Sequence, residues 1–293
     1  MTVAQLQKKI EEILKEGNCD SPSFDAVCLL EDLANLGRGK VPFLSAVQLS
    51  DEITHQVIEA AEKRAKGFPL QYLLGKWDFL NLSLYVGEGV LIPRPETEQL
   101  CELVADKLCG ISFADPIQLA DLCAGTGCVG LGIASLSKTK SLNILSVELS
   151  EKALPYLQKN IQRYPQYNAT AICADILSDF DRFQEPFDII VSNPPYIPTA
   201  DLTTLQREVQ WEPKTALDGR EDGLLFYNAL AKHWVPKLSK HGFIAVEVGI
   251  HQASAVVQLF KQAGLINVQS YKDFSGIDRF VIGEKSEKNY YNP

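Results

Sequence analysis

The sequence predicts an α/β protein, a parallel doubly wound sheet preceded by a small helical bundle. Three observations point to it. Apolar residues recur at helical spacing through residues 1–70. From residue 117 onward, short apolar runs alternate with helical patterns, as in chains that lay down parallel strands joined by crossovers. A glycine-rich loop follows the first of those runs, where such sheets place a ligand.

The elements follow in order. Val3, Leu6, Ile10, Ile13 and Leu14 mark one face of a first helix, which Gly17 and Asn18 stop. Ser23 is placed to cap a second helix carrying Val27, Leu30 and Leu33. Ser50 is placed to cap a third, carrying Ile53, Val57, Ile58 and Ala61, which Gly67-Phe68-Pro69 ends. The period then changes. Leu80, Leu82, Leu84 and Val86 alternate with polar neighbours and, with Tyr72 to Phe79, predict a linking hairpin within 71–92. Pro93-Arg94-Pro95 opens a domain spanning 93–283, beginning with a helix from Glu96 to Leu108. Strands are expected at 117–122, 143–148, 169–174, 187–192, 242–248, 266–272 and 278–283. The last two are joined by Asp273 to Gly276 and should pair antiparallel at one edge. Residues 284–293 are polar and expected to fray.

Composition narrows the function. The 293 residues carry a net charge of −9 and a pI near 5.1. An acidic surface repels phosphate backbones, so a free nucleic acid is a poor substrate. No apolar run reaches membrane-spanning length, and Met1 to Glu12 has no signal-peptide core. The seven cysteines are odd in number and show no CxxC pair. They predict reduced thiols in a cytoplasmic protein. The four histidines show no zinc spacing, and no metal is expected.

The chemistry concentrates in two loops. Strand 117–122 runs into Cys123-Ala124-Gly125-Thr126-Gly127, with a helix starting near Cys128. Glycines let the backbone turn and approach a ligand, and the helix points free N–H groups at it. Glu148, at the end of the next strand, is placed to accept both hydroxyls of a ribose. Gly125, Gly127 and Gly130 also satisfy GxGxxG. The loop alone therefore fits a nicotinamide dinucleotide, S-adenosylmethionine, or a tight turn with no ligand. Asp175 follows the third strand, placed for an adenine amino group or for a helix cap, and Ile176 is placed to cover an adenine face. Asp121, Glu148 and Asp175 make the strand ends acidic, which suits a sulfonium cation and disfavours a pyrophosphate.

The second loop is Asn193-Pro194-Pro195-Tyr196, after the buried run Phe187 to Ser192. Two prolines fix φ twice and remove two N–H donors, and Asn193 before a proline is held away from helix. The stiff product offers an amide side chain, bare carbonyls and an aromatic face. A neutral planar N–H₂ group fits it, with one hydrogen to the Asn193 side-chain oxygen, the other to the Pro194 carbonyl, and Tyr196 stacked on the plane. The alternative is a proline-stiffened turn whose tyrosine packs in the core.

The sequence resembles the release factor glutamine methyltransferases along nearly its whole length. The motifs are Asp121 to Gly127, Glu148, Val191-Ser192-Asn193-Pro194-Pro195-Tyr196-Ile197 and, most specifically, Leu91-Ile92-Pro93-Arg94-Pro95-Glu96-Thr97-Glu98. Glu212-Pro213 through Ala216-Leu217 to Asp222-Gly223-Leu224 is also similar. The resemblance implies a class I methyltransferase fold, a Rossmann-like seven-stranded mixed sheet with its last strand antiparallel. It implies S-adenosylmethionine bound at Cys123, Ala124, Gly125, Thr126, Gly127, Glu148, Ile176 and Asn193, and S-adenosylhomocysteine as product. It implies glutamine held by Asn193, Pro194, Pro195 and Tyr196, with the side-chain N5 of the Gly-Gly-Gln glutamine of class I peptide chain release factors as acceptor. The 1–70 domain would help recognise the release factor, and the protein is expected to be a monomer. At Ile176 the family often carries a bulkier aromatic, so the adenine contact there departs from its pattern. Arg94 and Glu98 either shape the pocket mouth or form an ion pair, and Glu208 and Glu212 are expected in the loop after Tyr196, over substrate or facing solvent. Alternatives remain: methylation of a ribosomal-protein glutamine, adenine N6 methylation, an NAD-dependent oxidoreductase, and a non-catalytic binding protein.

Overall fold

Thr2 opens the first helix through a reciprocal cap: its hydroxyl accepts the Gln5 N–H while the Gln5 side chain accepts the Thr2 N–H. This helix, α1 (Val3–Glu16), buries Val3, Leu6, Ile10 and Leu14 and ends at Gly17, with Asn18 at φ +53. Helix α2 (Pro22–Leu33) begins two residues earlier than expected. Pro22 takes the first helical position, where no N–H is needed, so Ser23 lies inside the helix and does not cap it. Helix α3 (Asp51–Ala65) starts at Ser50, whose hydroxyl accepts the Ile53 N–H at 3.2 Å. A short α4 (Leu70–Leu74) follows, where the sequence predicted the beginning of the hairpin. Leu6, Ile10, Leu29, Leu30 and Val57 are fully buried between these helices, each worth roughly 1.5–3 kcal/mol.

The computed structural model describes residues 1–111, 113–137, 140–184 and 186–286. The chain divides into two units. The first is Met1–Trp77 with Val86–Glu88 and Leu205–Trp211. Buried Arg64 explains the membership of the last segment. Its guanidinium donates to Asp25 and to Glu208, each at 2.7 Å, and Trp211 meets Phe68 edge-on with ring centroids 5.2 Å apart. Glu208 is thus an anchored ion-pair partner and no free loop acid.

The second unit is Asp78–Tyr85, Gly89–Thr204 and Glu212 onward. The hairpin strands are β1 (Lys76–Phe79) and β2 (Leu82–Tyr85), with Leu80 at φ +52 in the turn rather than in a strand. Helix α5 (Pro95–Cys109) follows. Then come β3 (Ile117–Leu122), α6 (Cys128–Leu136), β4 (Leu142–Glu148), α7 (Leu154–Arg163), β5 (Ala169–Cys173) and β6 (Phe187–Ser192). Two short parallel strands, β7 (Ile197–Pro198) and β8 (Asp218–Arg220), brace the segment after Tyr196. They precede α8 (Leu225–Ala229), β9 (Leu238–Glu247), α9 (Ala253–Gln262), β10 (Leu265–Lys272) and β11 (Asp278–Lys285). The expected fraying from 284 is corrected at its start, since Glu284 and Lys285 belong to β11 and Glu284 pairs with Lys107. Residues 287–293 lie outside the described residues.

The sheet order is β10-β11-β9-β6-β3-β4-β5. Only β11 runs antiparallel, inserted between β10 and β9, the mixed seven-stranded sheet expected. The chain steps outward from β3 to β4 and β5, then returns to the other side of β3 with β6. That reversal opens a crevice at the carboxyl ends of β3 and β6. Register sets what meets there. Leu122 pairs with Ser192 and with Val147, and Glu148 pairs with Cys173. Hence Cys123, Glu148, Ala174 and Asn193 leave the sheet at one edge.

Candidate active site

A cleft in the second unit gathers the ends of those strands. Its glycine wall begins at Cys123, held at φ +61, a left-handed backbone that is costly for a residue with a Cβ. Gly125 and Gly127 follow at φ +56 and φ +79. A Cβ added to Gly125 would meet only Val90, at 3.9 Å, so this backbone faces open cleft. The loop is tied down from below. Ser192 Oγ donates to the Leu122 carbonyl at 2.7 Å, joining the two loop-bearing strands. Asn160 on α7, fully buried, donates to the Thr126 carbonyl at 2.9 Å and exchanges hydrogen bonds with the Tyr85 backbone.

Glu148 accepts the Gly125 N–H on one oxygen at 2.8 Å and the Ser150 N–H on the other at 2.7 Å. Each oxygen keeps a lone pair for a ligand hydroxyl. Burial raises the Glu148 pKa, and the N–H donors oppose that shift. Asp175 lines the same cleft and uses Oδ1 to accept the Leu177 N–H at 2.8 Å, so it caps its own turn. Ile176 lines it too, its carbonyl held by the Trp234 indole N–H at 2.9 Å.

The structure brings Cys123, Ala124, Gly125, Thr126, Glu148, Asp175, Ile176, Asn193 and Pro195 to one cleft. Gly127, Pro194 and Tyr196 are not among its lining residues. Gly127 instead begins α6, and a Cβ there would meet Leu157 at 2.7 Å. The Tyr196 hydroxyl donates to Glu247 at 3.3 Å, and burial, then Glu247, raises its pKa, so the phenol stays protonated. The Asn193 side-chain N–H₂ donates to Thr97 Oγ1 at 3.1 Å. Glu98 accepts the Leu80 N–H at 2.7 Å and is structural. Glu212, expected in the loop, is 3% exposed: it accepts the Ile92 N–H at 3.0 Å and pairs with Arg94, which lines the cleft.

One electrostatic expectation is corrected. Asp121 is fully buried beneath the glycine loop and does not line the cleft. Its Oδ2 accepts the Gly130 N–H at 2.9 Å, while buried Oδ1 has no partner among the described residues. Burial pushes its pKa up to about 8, so the acid is largely neutral near pH 7. The lining acids are Glu148 and Asp175. Between about pH 4 and 8 the folded chain keeps a proton that the unfolded chain has released, so stability falls as pH rises. The slope is on the order of 1 kcal/mol per pH unit. Asp121→Asn keeps the Gly130 acceptor and does not titrate. Its melting temperature should gain on that of the parent from pH 5 to pH 8, and a pH-independent difference would refute this account.

Sequence reasoning missed the roles of Thr97, Asn160 and Glu247, and it named Glu212 without its buried pairing to Ile92 and Arg94. Glu247 had a usable signal: a carboxylate inside the apolar run Phe243 to Val248 must find partners.

The cleft fits an adenosine-bearing sulfonium better than a dinucleotide. Two carboxylates line it, and its one lining cation among the described residues, Arg94, is already paired with Glu212. Comparison with known proteins agrees. Residues 5–75 match the family model of the PrmC N-terminal domain, and residues 108–226 match that of the methyltransferase small domain. A release factor glutamine methyltransferase of Thermodesulfovibrio yellowstonii is 36% identical over 82% of this chain and 85% of its own. The chain belongs to the release factor glutamine methyltransferase family. A second member, from Caulobacter vibrioides, is 33% identical over 98% of this chain and 97% of its own. The hMettl16 catalytic domain, solved with a 3′UTR hairpin, superposes with a TM-score of 0.57 at 14% identity, covering 88% of this chain and 92% of that one. At that identity the likeness shows the fold alone. Among the described residues, no helix is long and apolar enough to cross a membrane.

Proposed function

We propose that this protein transfers a methyl group from S-adenosylmethionine to the side-chain N5 of the Gly-Gly-Gln glutamine in class I peptide chain release factors. The observation that carries it is the Leu122–Ser192 register, which sets Asn193 beside the glycine loop and Glu148 in one cleft. When bound, S-adenosylmethionine supplies an electrophilic methyl and leaves as neutral S-adenosylhomocysteine. Glu148 accepts the ribose hydroxyls, while Cys123 to Gly127 let the cofactor approach the backbone.

Asn193 does the orienting. Its N–H₂ is engaged by Thr97, which leaves Oδ1 to accept an N–H of the incoming carboxamide. The nitrogen lone pair of an amide is delocalised into its carbonyl. Turning the N–H₂ out of plane localises that pair, and fixing it in line with the methyl removes roughly 7–11 kcal/mol of a bimolecular barrier in favourable cases. The nitrogen sheds a proton to solvent water as it bonds to carbon, so no strong base is needed beforehand. In this reading the Pro194 carbonyl accepts the second N–H, and Tyr196 supports the loop through Glu247. The 1–70 bundle contributes to recognition of the release factor.

Labelled S-adenosylmethionine with a purified release factor should mark that glutamine, and mass spectrometry should find one methyl on its peptide. Labelling that persists after the glutamine is replaced, or that appears only on ribosomes, would overturn the assignment.

A further inference from the structure

A chain of polar groups runs behind Asn193. Its side-chain N–H₂ donates to Thr97 Oγ1 at 3.1 Å, and the Thr97 hydroxyl donates to Glu247 Oε2 at 2.6 Å. The other Glu247 oxygen, Oε1, accepts the Tyr196 hydroxyl at 3.3 Å. Thr97 is 1% exposed and Glu247 2% exposed. Neither Glu247 nor Tyr196 lines the cleft. Yet one buried carboxylate meets the loop at both ends, directly at Tyr196 and through Thr97 at Asn193.

The direction of these bonds carries the argument. A threonine hydroxyl has one proton. Thr97 gives it to Glu247 and so offers Asn193 only a lone pair. The amide must then turn its N–H₂ toward Thr97 and its carbonyl oxygen away. A side-chain amide has two nearly isosteric orientations, and only one presents an acceptor to a substrate carboxamide. We propose that Glu247, acting through Thr97, is a positioning residue that fixes the Asn193 amide with its oxygen toward the acceptor nitrogen, an inference that rests on the methyl-transfer reading above. Glu247 sits at the end of β9, the central neighbour of β6, and its backbone carbonyl accepts the Tyr227 hydroxyl at 2.9 Å. The anchor is therefore part of the rigid sheet, while the groups it orients are in the loop.

The test separates hydroxyl direction from packing. Thr97→Val preserves shape and removes the hydroxyl, Thr97→Ser preserves the hydroxyl, and Glu247→Leu removes both acceptor oxygens at similar size. Thr97→Val and Glu247→Leu should lose about 100-fold in kcat, with KM for the release factor and the dissociation constant of S-adenosylhomocysteine within threefold of the parent. Thr97→Ser should recover most of the rate. A second arm needs no turnover. With ¹⁵N-asparagine labelling, the Asn193 side-chain N–H₂ protons should exchange slowly with solvent in the parent and in Thr97→Ser, and fast in Thr97→Val. Full activity in Thr97→Val would overturn the proposal, and so would a loss shared equally by Thr97→Ser or accompanied by weakened S-adenosylhomocysteine binding. Exchange unchanged in Thr97→Val would also overturn it. A parent protein that leaves release factors unmethylated would sink the substrate reading, while the exchange arm would still decide the relay.

Discussion

Asn193→Ala is expected to lower kcat by about 1,000-fold, an effect of the size seen when one oriented hydrogen-bonding group is removed from an active site. Affinity for S-adenosylhomocysteine should stay within a few-fold. The separation follows from the geometry. Pro194 and Pro195 still fix the loop backbone, and Glu148 keeps its two N–H donors, Gly125 and Ser150. What disappears is the side-chain oxygen that would hold the acceptor carboxamide, so the nitrogen is no longer aimed. Isothermal titration with S-adenosylhomocysteine and steady-state methylation of release factor measure the two quantities. An alanine variant with parental kcat would remove Asn193 from the chemistry. A variant that binds no cofactor would show that the residue holds the cleft together.

Much of this arrangement is legible in the sequence because its causes are local. Period-two and period-3.6 patterns mark the strands and helices, and glycine and proline mark the two loops. Parallel topology then brings the loops to one edge, since consecutive carboxyl ends of a doubly wound sheet lie together. The supporting residues were not legible, because their partners are distant in the chain. Thr97 meets Glu247 across 150 residues, Ile92 meets Glu212 across 120, and Asn160 reaches Tyr85 across 75. A threonine in the first turn of a helix, or an asparagine in the middle of one, has no local signature until the tertiary fold supplies the partner. Asp121 misled for a different reason, since its partner Gly130 is only nine residues away. Its position at a strand end suggested a cleft-lining charge, and its burial under Gly130 makes it a largely neutral structural group. Tyr196 was expected either to stack on the carboxamide or to pack in the core, and its hydroxyl turns toward Glu247 in the sheet.

The second large effect is expected at a residue that touches no ligand. Gly219 in β8 lies against the backbone of Tyr196. A Cβ there would stand 2.8 Å from both the Cα and the carbonyl carbon of Tyr196 and 2.7 Å from Gly223 Cα. All three are backbone atoms, so no side-chain rotation relieves the clash. The Ile197 N–H is meanwhile tied to the Leu217 carbonyl at 2.9 Å, and Gln252 donates to the Tyr196 carbonyl at 2.9 Å. The strain must therefore pass along the loop toward Asn193 or break the β7–β8 pairing. Gly219→Ala should cost about 1–3 kcal/mol of stability by overpacking and about 100-fold in kcat through misalignment of the order of 1 Å. Gly110→Ala serves as the control, because its Cβ would make only an ordinary contact of 3.7 Å with the Lys107 carbonyl, and its turnover should equal that of the parent. Thermal unfolding and methylation rates of the two variants test the argument. A Gly219→Ala protein as active as the parent would mean that the Tyr196 backbone can move without disturbing Asn193, and that the rigidity assigned to this loop resides in its prolines alone.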